Sequence, residues 1–252
     1  QLLGGLSADY TGWRPAFMLV ALLFAVGAAS LAAVRGSLPV DTATAKPARK
    51  HSLLHVWNEY RQVLAIRWAR TVLLTVFVEG ALVFGAFAFL AAHLHRRLAL
   101  SLGAAAAIVM LFGGGGLLFS ALSRTMTQNL GERAMVRAGS WVLSASLCAV
   151  AWSPNAWVAC VACFSMGLGF YMFHNTLQTH ATQMAPERRG AAVSAFAFCY
   201  FVGQSTGVAL AGLLVSRVGI REVVIAAGLG VLLAGVTFAH QHRLHRPRAT
   251  TG

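Results

Sequence analysis

A single carboxylate, Glu79, stands near the middle of TVLLTVFVEGALVFGAFAFLAA, the 22 residues from Thr71 to Ala92, which hold no other charge. A helix rises about 1.5 Å per residue, so this stretch spans roughly the 30 Å of a bilayer's hydrocarbon core. An acid at that depth costs at least ~2–3 kcal/mol on insertion scales and is usually functional where it occurs. It can take up a proton while facing one side and release it to the other, or it can contact a cationic solute. The alternative is a permanently neutral acid hydrogen-bonded to a neighbouring helix. Glu79 is thus a candidate for proton coupling or substrate contact.

Tyr171, Asn175, Gln178 and Thr182 recur at i, i+4, i+7 and i+11, on one face of a helix. Uncharged amides that line a cavity can hydrogen-bond sugars or drugs; the same residues also suit the polar end of a helix leaving the membrane towards Pro186. His174, on this helix end, reads as an interfacial histidine rather than a proton relay. Tyr200, Gln204 and Ser205 are a third polar set, able to bind a solute or to join one buried helix to another.

Other chemistries find little support. Cys160 and Cys163 make a C-x-x-C, a spacing that elsewhere marks redox or metal chemistry. Inside an apolar run, with no second pair and no nearby His, they read as small packing residues. All four cysteines lie in apolar segments, which argues against a disulfide framework. No H-E-x-x-H occurs, the nine histidines fall in loops or near segment ends, and no spacing suggests a metal or another cofactor. The chain does not read as an enzyme.

The elements that position these residues are set by composition. Hydrophobic residues make up 58% of the 252, charged residues 11%, and the mean hydropathy is +0.67. A soluble domain carries about 25% charged residues, so this chain lacks the polar surface to cover a globule and belongs in a lipid bilayer. Its net charge of +13 could point to nucleic acid, but the basic residues sit in short runs between apolar segments, as in the loops of a multispan protein. No nucleic-acid partner is expected.

In order, residues 1–14 read as a helix end and a tight connection with Gly4-Gly5 and Trp13, followed by a first complete span, Pro15 to Val34. From Arg35 to Arg70 the chain is polar and basic. Pro39 and Pro47 mark a flexible linker. Leu53, Val56, Trp57, Tyr60, Val63 and Leu64 then recur at helical spacing, predicting an amphipathic helix on the membrane surface. Thr71–Ala92 is the second span, and Leu98–Ser123 the third, with Gly113 to Gly116 permitting close helix contact. Arg124 to Arg137 reads as a polar connection. The fourth span is Ala138–Ser153, the fifth Ala156–Gln178, the sixth Gly190–Ser216 with a Gly203/Gly207 pair, and the last Val223–Ala239. The tail from His240 reads as basic and disordered.

Alternating these connections across a bilayer places fifteen of the twenty Lys and Arg on one side and five on the other. The richer side, with the linker and the tail, is cytoplasmic by the positive-inside rule.

Three pieces of sequence suggest a family. They are G-W-R-x-x-F at Gly12–Phe17 within GGLSADYTGWRPAF, M-A-P-E-R-R-G-A-A-V-S at Met184–Ser194, and a glycine-rich helix followed by G-E-R at Gly131–Arg133. With the order of spans, they resemble the carboxyl-terminal half of a major facilitator superfamily transporter, most like bacterial arabinose-efflux and drug-efflux permeases. The resemblance implies an all-α transmembrane fold, a six-helix C-terminal bundle preceded by helix six. Residues 1–35 would be the end of helix five and helix six, 36–70 a cytoplasmic basic linker with an amphipathic helix, 71–239 the bundle, and 240–252 a cytoplasmic tail. The first half of the same protein would be missing. The family's loop motif has here only an echo from Gly116 to Arg133 that lacks its acidic residue, and its antiporter motif would place Pro where Gln1 stands.

The resulting expectation is a secondary transporter in the inner membrane of a bacterium. It would move a small molecule such as a drug or sugar by proton-coupled efflux, with Glu79 as the coupling or substrate-contacting residue. Tyr171, Asn175, Gln178, Tyr200 and Gln204 are the substrate-binding candidates. The partners are then protons, the solute and the lipid bilayer. A non-transporting membrane receptor or scaffold is the alternative.

Overall fold

Long apolar runs with few prolines have one way to satisfy their backbone in lipid, which is the helix. In the computed structural model, which describes residues 14–35 and 53–245, every main element is helical. The helices are α1 (Arg14–Arg35), α2 (Leu53–Ala65), α3 (Arg67–Leu98), α4 (Leu102–Ala151), α5 (Ala156–Gln183), α6 (Arg189–Val218) and α7 (Ile220–His245), with a 3-10 turn at Pro186–Arg188. Five of them, α3 to α7, are long and apolar enough to cross a membrane. The fold is an all-α membrane bundle. The expected helix end at 1–13, the linker around Pro39 and Pro47, and the tail beyond His245 lie outside the described residues.

Short polar caps separate the spans. Ser101 Oγ accepts from the Ala104 N–H (3.1 Å) at the start of α4, and Asn155 Oδ1 accepts from the Val158 N–H (3.0 Å) at the start of α5. Gly219 turns the chain between α6 and α7 at φ +97°, a left-handed conformation that suits glycine.

Helix α4 corrects the expected boundaries. The stretch 124–137 is helical rather than a polar connection, and α4 runs 50 residues, broken only at Gly131 (φ +71°, ψ +162°). A straight helix of that length would run about 75 Å, more than twice the hydrocarbon thickness. Instead the chain reverses. Gly115 lies against Phe164 and Leu168 of α5, and Gly139, well beyond the break, lies against Gly169, Met172 and Phe173 of the same helix. Both arms of α4 therefore run beside one stretch of α5, and Phe119, Met135 and Met172 pack together where they meet.

Small residues set the remaining contacts, as lipid-embedded helices require. Gly203 and Gly207 of α6 rest on the Phe77 and Ala81 carbonyls of α3, and Gly85 of α3 in turn faces Gly207. Of the four consecutive glycines, Gly115 and Gly116 face α5, whereas Gly113 faces open space. The predicted amphipathic helix forms as α2 and docks on the start of α6: Tyr60 Oη and Ser194 Oγ hydrogen-bond at 2.8 Å, and Arg188 pairs with Glu59 at 3.4 Å. The last helix continues to His245, so the tail from His240 begins as helix, with His242 buried, rather than as disordered chain.

Candidate functional site

The α3–α6 contact at Gly80, Gly203 and Gly207 brings two backbones close enough that the residue before Gly80 cannot reach solvent. Glu79 is 0% exposed. A lone acid in such a place needs a partner, and α5 supplies it. His174 Nδ1 and Glu79 Oε2 are 2.8 Å apart, a hydrogen bond between residues 95 positions apart in the chain. With Glu79 ionised the imidazole N–H donates; with Glu79 protonated its O–H donates to the ring nitrogen. Either way one proton lies between the two groups. The second carboxylate oxygen, Oε1, is buried and has no hydrogen-bond partner among the described residues.

The His174 ring is clamped by aromatic side chains. It stacks on Phe170 (centroids 5.0 Å, 15° between planes), with Tyr200 at 4.6 Å and Phe196 at 5.7 Å. Phe84 of α3 meets both Phe170 and Tyr200 edge-on at 5.7 and 5.8 Å. This collar leaves the histidine side chain 14% exposed while sealing the carboxylate completely. His174 is thus the link between Glu79 and the exterior of the bundle.

His174 corrects the expectation for the histidines: it lies inside α5 at the depth of Glu79, not at a helix end. It shares its face with Tyr171, Asn175 and Gln178, which the structure leaves exposed. Thr182 continues the row and bonds back to the Thr179 carbonyl at 2.8 Å. The Tyr171 ring also lies along Phe119, 6.4 Å away. On α6, Tyr200 and Gln204 flank Gly80 across the helix contact, and the Tyr200 ring lies against His174 of the pair. Ser205 is exposed and donates to the Phe201 carbonyl at 3.0 Å. It is the central residue of Gly203-Gln204-Ser205-Thr206-Gly207, a G-x-S-x-G string. Here that string is mid-helix, with both glycines spent on α3 packing, so it forms no nucleophile elbow.

Cys160 and Cys163 are free thiols in α5, with Cys163 in the hydrophobic core. A second polar cluster, Glu132 with His180 and His242, lies away from the Glu79 pair and is absent from the candidates read by spacing.

A family model described as Major Facilitator Superfamily matches this chain over residues 1–207, and again over 72–251. No curated protein matches it.

Proposed function

We infer the function from the family: the chain belongs to the major facilitator superfamily. It is an integral, multi-pass membrane protein of a transporter family, not an enzyme, and its substrate class is a small molecule.

Beyond that, we propose that Glu79 and His174 form the proton-coupling element. The observation that carries this reading is a fully buried carboxylate whose hydrogen-bonded histidine keeps 14% of its side chain exposed. A proton arriving at the exposed imidazole edge passes to Glu79 without the carboxylate ever meeting water. The unpaired Oε1 adds a place where a proton, or a donor group of the solute, relieves an otherwise costly buried acceptor. Tyr171, Asn175 and Gln178, exposed beside His174, offer hydrogen bonds to an uncharged or cationic solute. Tyr200, its ring 4.6 Å from the imidazole and tilted 44° to it, lets solute binding report on the pair, and Gln204 lies beside it on α6. Alternating access then consists of rocking this bundle against a facing one, with the solute held near the midplane. The favoured direction is proton-driven efflux of a drug or sugar, with the basic loops in the cytoplasm of a bacterium.

The test uses proteoliposomes that hold this chain together with the facing bundle, with an imposed pH gradient and an internal pH-sensitive dye. Ethidium and a panel of sugars serve as probe solutes. A transported solute should collapse the gradient faster in the parent than in Glu79→Gln, at equal protein content. Equal collapse in both would remove Glu79 from coupling, and no solute-dependent flux from any probe would favour a receptor or scaffold.

A further inference from the structure

The second histidine cluster gathers side chains from three helices at the end of the bundle remote in sequence from Glu79. Glu132 is the first residue after the Gly131 break in α4, His180 lies in the last turn of α5, and His242 near the end of α7. His180 Nε2 stands 3.6 Å and His242 Nε2 3.5 Å from the same oxygen, Glu132 Oε2. All three ligand-capable atoms lie within 4.8 Å of one another.

We propose that Glu132, His180 and His242 bind a zinc-class divalent cation, a site independent of the proton-coupling reading above. Geometry is the first argument. Ligands about 2.0–2.1 Å from a tetrahedral zinc stand about 3.4 Å apart. The two N···O separations match that edge and exceed the ~2.7–2.9 Å of a charge-assisted hydrogen bond, and the two imidazole nitrogens lie within 4.8 Å of each other. Chemistry is the second. Two imidazoles and a carboxylate make up a common three-ligand zinc set that leaves a fourth position open. As ion pairs, two imidazolium rings with centroids 4.9 Å apart would repel each other across one carboxylate oxygen. One divalent cation replaces both protons and removes that repulsion.

The surroundings are those of a built site. His180 and His242 are buried, and Glu132, 26% exposed, gives the cluster access to the exterior. Trp68 of α3 meets His180 edge-on at 5.3 Å and His242 at 5.8 Å, and Phe238 stacks parallel to His242 at 6.4 Å. These rings hold the imidazoles in place and exclude water from two of the three ligands. A bound cation would clasp the ends of α5 and α7 to the reversal of α4 at Gly131.

The test titrates the full chain, purified in detergent without a polyhistidine tag and stripped with chelator, with Co²⁺ and Zn²⁺. The expected result is one cation per chain, with the visible bands of four-coordinate cobalt that zinc displaces. Glu132→Gln and His242→Gln should each weaken binding by at least about tenfold, the range already seen when only outer-shell partners are lost. His240→Gln, on the exposed side of α7, should leave it unchanged. His242→Cys should keep cobalt and add a thiolate charge-transfer band, a signature that a merely structural histidine would not give. Helical, monodisperse protein that binds no stoichiometric cation would overturn the site, as would binding indifferent to Glu132→Gln and His242→Gln.

Discussion

Gly80 of α3 lies so close to Tyr200 of α6 that a methyl group on it would stand 2.8 Å from the Tyr200 carbonyl oxygen. The neighbouring residue on α3 is Glu79, and the Tyr200 ring covers His174. One glycine thus fixes both the seal over the carboxylate and the collar around its partner. Gly80→Ala should force the two backbones apart, costing about 1–3 kcal/mol by overpacking. Because the displaced helix carries Tyr200, the loss should reach transport as well as stability. Gly113→Ala, with nothing within 4 Å, should be near neutral or slightly stabilising. Denaturant unfolding in detergent, read by circular dichroism, checks the contrast; equal effects at both positions would count against the contact.

The Glu79–His174 pair should behave as a unit. Removing the imidazole with His174→Ala leaves a carboxyl group sealed in the bundle without its hydrogen-bond partner, which costs about 1–3 kcal/mol, and more where the group stays charged. Adding Glu79→Gln to that variant removes the stranded acid and should recover part of the loss. The double variant is therefore expected to be more stable than His174→Ala alone. A double-mutant cycle measured by denaturant unfolding tests this. Simple additivity of the two single changes would mean that the groups are not coupled.

Much of this architecture is legible in the sequence because its signals are local. The apolar runs, the Gly203/Gly207 pair and the amphipathic pattern of α2 each depend on residues within one or two turns, and each forms where its spacing places it. Glu79 stands out for the same reason, as a lone acid in an apolar helix. Its partner does not, since nothing at His174 itself distinguishes an interfacial ring from one that meets a carboxylate on another helix. The Glu132, His180 and His242 cluster is further from view, because its members come from three helices brought together only by the reversal at Gly131. That reversal is itself hidden: a polar stretch with arginines reads as a loop, yet 124–130 and 132–137 stay helical and one glycine makes the turn.

Arg97 ties the end of α3 to the end of α4. Its Nε donates to the Ser153 carbonyl at 2.7 Å and an Nη to the Trp152 carbonyl at 3.1 Å. His93, one turn earlier, contacts the Ala151 carbonyl at 3.2 Å. These are carbonyls that the end of α4 leaves without intrahelical donors, and a guanidinium suits both their geometry and the negative end of the helix dipole. Hydrogen bonds from a charged donor contribute about 1.5–3 kcal/mol. Arg97→Gln should therefore destabilise the bundle by about 1–2 kcal/mol, while Arg96→Gln should change it by less than about 0.5 kcal/mol. Hydrogen exchange at 150–153 should rise in the first variant alone.

Gly131 combines a positive φ with extended ψ, at +71° and +162°, a region that side-chain-bearing residues rarely enter. Nothing lies within 4 Å of where its Cβ would stand, so the constraint on this residue is conformational and not steric. Replacing it with alanine should cost about 1–3 kcal/mol, the range for a residue held in a sparsely populated conformation. The strain has an alternative outlet: alanine favours continuous helix, which would straighten α4 and pull its two arms off α5. The expected outcome of Gly131→Ala is a lower unfolding midpoint with equal or slightly higher helical signal. Ala134→Gly, three residues on and within regular helix, should lower stability by no more than about 1 kcal/mol and leave the reversal intact. A spin-label pair across the two arms, one near Gly115 and one near Gly139, distinguishes the cases: the distance should lengthen or broaden in Gly131→Ala and hold in Ala134→Gly. An unchanged midpoint and distance in Gly131→Ala would mean that the turn does not need glycine.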